Sequence, residues 1–122
     1  MKFVVDNKTN EAVVPYEIGK KIKDLGFNYG CYYFCFKDDP EHIKRRTDGT
    51  IVYNSDFDDS TVCCPTLDVV NQWLRNVKKI PIQMIYSTVK DEWASCVDDK
   101  YFWETGYYRA MMEAMKYIFE IQ

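Results

Sequence analysis

Apolar residues recur along this chain at two spacings, and the change from one to the other marks out its elements. Between Pro15 and Gly26, Ile18, Ile22 and Leu25 fall at i, i+4 and i+7, which places them on one helical face, while Lys20, Lys21 and Lys23 point elsewhere. Pro15 suits a first helical position, where its missing N–H costs nothing, and Gly26 suits a left-handed C-cap over which Phe27 can close. The run Cys31 to Phe36 is short and aromatic, which predicts a strand. Asp38-Asp39-Pro40 breaks it, Asp48-Gly49 marks a turn, and Thr50 to Tyr53 supplies a second strand to pair with the first. The polar segment Asn54 to Thr61 reads as a loop.

A second helix is predicted from Pro65-Thr66, with Leu67, Val70, Leu74 and Val77 on one stripe, Val69 and Trp73 widening it, and Lys78-Lys79 favouring its C-terminal end. Ile80 to Thr88 is apolar and β-branched, and Trp93 to Val97 is its expected hairpin partner across Lys90-Asp91-Glu92. A third helix opens at Thr105, as N-cap, and carries Ala110, Met111, Ala114, Met115, Ile118 and Ile121 to the end. The order α-β-β-α-β-β-α predicts an α+β fold with a four-stranded, mainly antiparallel sheet and three helices on one face. No linker or low-complexity segment interrupts residues 1–122, so one domain is expected. Two helix-hairpin units, each opened by a proline, suggest a duplication that the residues of the halves do not support.

Composition narrows the function classes. With 122 residues, 47% hydrophobic and 29% charged, the chain can bury a core without a staple. Its 20 aromatics, 10 of them tyrosine, exceed the usual share, which predicts rings at the surface where they favour contact with another molecule. The net charge of −3 argues against a general nucleic-acid binder, because such affinity rests on neutralising phosphates. The basic run Lys44-Arg45-Arg46 is offset by Asp38, Asp39, Glu41 and Asp48. Met1 to Asp6 offers three apolar residues before a charge, too few for a signal peptide, and no apolar run approaches the roughly 20 residues a membrane span needs. A cytoplasmic protein with five reduced thiols is expected, since an odd cysteine count without an export signal gives a disulfide framework no support.

Candidate chemistry is sparse. There is no Cys-x2-Cys pair and His42 is the only histidine, while Cys31 and Cys35 on one strand would stand about 13 Å apart at ~3.3 Å per residue, so no metal site is expected. Cys63 and Cys64 precede the second helix, whose N-terminus would lower a thiol pKa, but a catalytic cysteine also needs a base. Asn54 to Asp59 alternates oxygen ligands, including Asp56, Asp58 and Asp59, yet an EF-hand would want Gly at Asp59 and Glu at Pro65; a solvated loop with local turns is expected, with a weak, irregular cation site as the alternative. The pairs Asp38-Asp39, Asp58-Asp59 and Asp98-Asp99 are ordinary in exposed turns, and the scattered glycines form no nucleotide-binding pattern. No catalytic residue and no cofactor are assigned.

The remaining signal is aromatic. Alternation along the first strand sends Tyr32, Phe34 and Phe36 to one face and Tyr33 and Cys35 to the other. The sheet face away from the helices is expected to carry a contact surface of Tyr33, Tyr53, Tyr86 and Trp93, with a one-residue slip in strand phase exchanging the faces. Pro15-Tyr16-Glu17 leading to Leu25-Gly26-Phe27, then Cys64-Pro65-Thr66 leading to Trp73-Leu74-Arg75, then a closing helix bearing Tyr and Ala, resembles small proteins of phages and prophages of gut bacteria. That resemblance runs from about Pro15 to the end and implies a mobile-element origin with no assigned activity, so no catalytic residue is carried over. The expected function is a small non-enzymatic binding or accessory protein acting through a protein partner or a homodimer. The alternative is a small enzyme or ligand-binding module with a pocket near the start of the second helix, joining Cys64, His42 and a carboxylate.

Overall fold

In a computed structural model the described residues are 12–121 together with the backbone of Val4–Val5. Apart from that backbone, the Met1 to Asp6 segment read above for a leader lies outside them. The protein is α+β, and its contacts group it into two compact units, Met1–Thr66 and Leu67–Gln122.

In the first unit, β1 (Val4–Val5) and β2 (Ala12–Val13) form a short antiparallel ladder. Helix α1 (Tyr16–Asp24) follows, with Pro15 in extended conformation at its N-cap. It ends as predicted at Gly26, whose φ of 93° only glycine adopts at no cost. The Gly26 N–H donates to the Lys23 carbonyl and the Phe27 N–H to the Ile22 carbonyl, so the chain turns off the helix with its last carbonyls satisfied. Strand β3 (Tyr33–Phe36) lies between β4 (Asp39–Arg45) and β5 (Thr61–Cys63), both antiparallel to it.

The predicted partner of β3 needs correcting. Thr50 to Tyr53 makes only one bridge, Val52 to Cys31, and the neighbouring strands come from segments read as a break and a loop. Strand β4 is an edge, so it can be charged and can carry Pro40, which has no N–H to offer the ladder. Periodicity that looks for a buried face passes over such a strand.

The second unit opens with α2 (Leu67–Trp73), which runs on as a π-helical turn over Leu74–Lys78 and stops at Lys79 in the left-handed conformation. Leu67, Val70, Trp73 and Leu74 are buried as expected, but Val77 is 50% exposed. Bonding from i to i+5 takes more residues per turn, so the phase slips and Val77 leaves the stripe. Strands β6 (Gln83–Ser87), β7 (Glu92–Val97) and β8 (Lys100–Glu104) form an antiparallel sheet in that order. The β6–β7 hairpin was expected. Strand β8 was not, because its aromatics read as the approach to the last helix. Asp98 and Asp99 both have positive φ, 52° and 61°, and make the two-residue turn that folds β8 back on β7. Helix α3 (Tyr107–Ile118) starts after Gly106, one residue later than the Thr105 cap predicts, and ends short of Ile121 because Glu120 turns left-handed at φ 57°. Two three-stranded sheets therefore replace the expected single four-stranded one, with three helices among the described residues. No helix among the described residues is long and apolar enough to cross a membrane.

Gly19 fixes how closely α1 lies on β5. A Cβ built there would stand 2.8 Å from the Cys63 carbonyl oxygen and 3.1 Å from a Val62 methyl. An alanine in mid-helix normally gains about 0.8–1 kcal/mol over glycine, but overpacking against backbone costs about 1–3 kcal/mol. Gly19→Ala is thus expected to lower stability by about 1 kcal/mol in urea denaturation, opposite in sign to helix propensity.

Candidate contact surface

The four aromatic candidates take up different positions. Tyr33 is only 4% exposed, so it cannot belong to an open surface. The two faces of β3 alternate as predicted, but the buried one carries Tyr33 and Cys35, while Phe36 is exposed on the other. Gly19 of α1 meets Val62 and lies near Cys64, so the helix covers the face on which Tyr33 and Cys35 lie. Tyr53 is exposed and sits outside any strand, ahead of a 3₁₀ turn at Asn54–Asp56.

Tyr86 and Trp93 do come together, as register partners on β6 and β7 with ring centroids 5.2 Å apart. Their face is the reverse of the expected one. Trp93 stacks edge-on with Tyr107 of α3 at 5.0 Å and 87°, and Ser95, two residues on, donates to the Ala110 carbonyl inside the helix. Trp93, Ser95 and Val97 therefore look toward α3. Tyr107 continues the chain of rings to Tyr108, whose hydroxyl donates to Asp68 at 2.7 Å. At the other end the Tyr86 hydroxyl donates to Asp91.

The face away from α3 belongs to residues one step out of phase. Ile85, Ala94 and Trp103 form one row across the three strands, and Gln83, Cys96 and Tyr101 the next. Ile85 is 39%, Trp103 37% and Tyr101 56% exposed, whereas Ala94 between the larger side chains is fully buried. Lys90 places its ammonium 4.2 Å from the centre of the Trp103 ring. The signal for this face was present in the sequence as the alternation Tyr101-Phe102-Trp103 beyond a two-Asp turn.

The other candidates are absorbed by the fold. Asn54 is buried, Asp56 accepts from the Tyr53 N–H, and Asp58 accepts from the N–H and hydroxyl of Ser60, which hold its carboxyl below the usual range. The Lys23 ammonium donates to the carbonyls of Asp58 and Thr61 at 2.5 and 2.8 Å, so the acidic loop has a cation of its own. Among the described residues no three His, Cys, Asp or Glu side chains are placed to hold a metal ion. His42 stands in solvent with its Nδ1 2.6 Å from Asp39, whereas Cys64 is fully buried with its thiol on Cys35. Two shallow depressions, of about 560 Å³ beside Ile80, Asp98, Lys116 and Tyr117 and about 380 Å³ beside Lys37 and Asp58 to Ser60, are lined by neither His42 nor Cys64. No protein-family model, curated protein or solved structure matches the chain.

The Tyr86 hydrogen bond to Asp91 holds the phenol pKa above its ordinary value, because the bond is lost when the phenol ionises beside a carboxylate. Its contribution is present below the ordinary tyrosine value of about 10 and disappears as pH rises through the raised one. Asp91→Asn is expected to bring the Tyr86 ionisation down toward that ordinary value in an ultraviolet or NMR titration. An unmoved midpoint would remove the carboxylate as its cause.

Proposed function

We propose that this is a non-enzymatic binding or accessory protein of a phage or prophage of gut bacteria, working in the cytoplasm through a protein partner, in its simplest form a second copy of itself. The observation that carries this reading is the exposure of Ile85 and Trp103 in one row and Tyr101 in the next on the open face of β6–β8. Broad rings with few rotatable bonds lose little side-chain entropy when a partner fixes them. The open face of the first sheet is less suited. Phe34 and Phe36 there pair with Lys44 and Asp39 on β4, themselves an ion pair at 3.3 Å, whereas the Lys90 ammonium on the second sheet is seated over the Trp103 ring. Cyclic pairs are the commonest oligomers, and they bring the same patch of both copies together.

Sedimentation equilibrium tests the reading. The wild type is expected to reach a dimer as concentration rises well past the micromolar range, and Tyr101→Glu or Ile85→Lys to weaken that dimer tenfold or more, about 1.4 kcal/mol. A monomer at every concentration, with no partner recovered by cross-linking in the host cytoplasm, would contradict it. Neighbouring genes of phage type support the proposed origin, and a chromosomal metabolic operon counts against it.

A further inference from the structure

Two cysteines of the first unit stand where a bond between them needs little movement. The Cys64 N–H donates to the Tyr33 carbonyl at 2.9 Å, and Phe34 pairs with Cys63 and Cys35 with Val62. Cys35 and Cys64 are therefore diagonal neighbours across one antiparallel pair, on the face that α1 covers. The Cys64 thiol donates to the Cys35 sulfur at 3.0 Å, and both residues are fully buried. A disulfide spans about 2.05 Å, so the sulfurs have about 1 Å to close. Cys31 and Cys63 are also buried in this unit, and the Cys31 thiol donates to the Tyr29 carbonyl at 3.4 Å.

We propose that Cys35 and Cys64 are an oxidisable dithiol that closes to a reversible intramolecular disulfide when hydrogen peroxide reaches it. The Cys35 sulfur attacks one peroxide oxygen, the O–O bond breaks, and the leaving hydroxide takes up the thiol proton as water, which leaves Cys35 as a sulfenic acid. The Cys64 sulfur then attacks the Cys35 sulfur. The S–S bond forms, the S–O bond breaks, and the hydroxyl departs with the Cys64 proton as a second water. Two electrons have passed from the two thiols to one peroxide, and an external dithiol returns them by exchange, becoming a disulfide itself. The roles follow from the hydrogen bond. Cys64, with a smaller contribution from Lys44, draws the Cys35 thiol pKa down, while the same bond and burial hold that of Cys64 up.

Because the bond joins β3 to the residue that follows β5, it constrains the unfolded chain. Both sulfurs are buried, so the reaction waits on local opening of this unit.

The test oxidises the intact protein with hydrogen peroxide, blocks remaining thiols and maps the tryptic peptides. Cys31 and Cys35 share one such peptide and Cys63 and Cys64 another, so fragmentation within the cross-linked pair assigns the bond in the wild type. The expected result is a Cys35–Cys64 bond that dithiothreitol reverses, that persists in Cys31→Ala and that is lost in Cys35→Ala, with a higher melting temperature after oxidation only where the bond forms. Oxidation of the half-exposed Cys96 with the other four thiols still free would overturn the proposal. So would fragmentation that places the wild-type bond between Cys31 and Cys63.

Discussion

A small unit that buries a peptide group must give it a partner, and in the first unit that constraint falls on Asn54. Its side-chain amide donates to the Phe27 carbonyl and accepts from the Cys63 N–H, both at 2.9 Å, with the residue 6% exposed. One side chain thus fastens the segment leaving α1 to strand β5. Leaving either backbone group unpaired would cost about 1–3 kcal/mol. The close seat of α1 at Gly19 and the burial of the thiols under it both require β5 to be held where Asn54 holds it. In the second unit Ser95 serves a similar end, donating to the Ala110 carbonyl from within the sheet.

Seen from this constraint, the features that look functional in the sequence divide by whether the interior uses them. Asn54, Asp56 and Asp58 satisfy backbone groups and Lys23 crosses to the carbonyls of their loop. Four cysteines are buried in the first unit, and the thiols of Cys64 and Cys35 are hydrogen-bonded. The interior leaves exposed rings in both units, Tyr32, Phe36 and Tyr53 in the first and Tyr101 and Trp103 on the open side of β6–β8 in the second. Ile85 and Trp103 flank the buried Ala94 as its register partners, so the row runs across all three strands.

The helices were legible because their ends are written in residues with one strong conformational preference. Pro15 and Gly26 bracket α1, and the stripe Leu67, Val70, Leu74 is buried as its spacing predicts. The sheets were legible only where strands are apolar. β6 and β7 were found; β4, a charged edge strand, and β5, three residues after a polar loop, were not. The contact residues depended on strand phase, which period-two alternation leaves ambiguous until the covering helix is known. Tyr33 and Trp93 turned out to lie on the helix side of their sheets, and the open face passed to Tyr101 and Trp103 one step away.

Hydroxyl-radical footprinting at low and high protein concentration tests most directly whether the open face of β6–β8 is the contact surface. Oxidation of Tyr101 and Trp103 should fall as concentration rises, while that of Tyr32 and Phe36, equally exposed in the first unit, should stay constant. Protection of Tyr32 and Phe36 with Tyr101 and Trp103 unchanged would contradict the account.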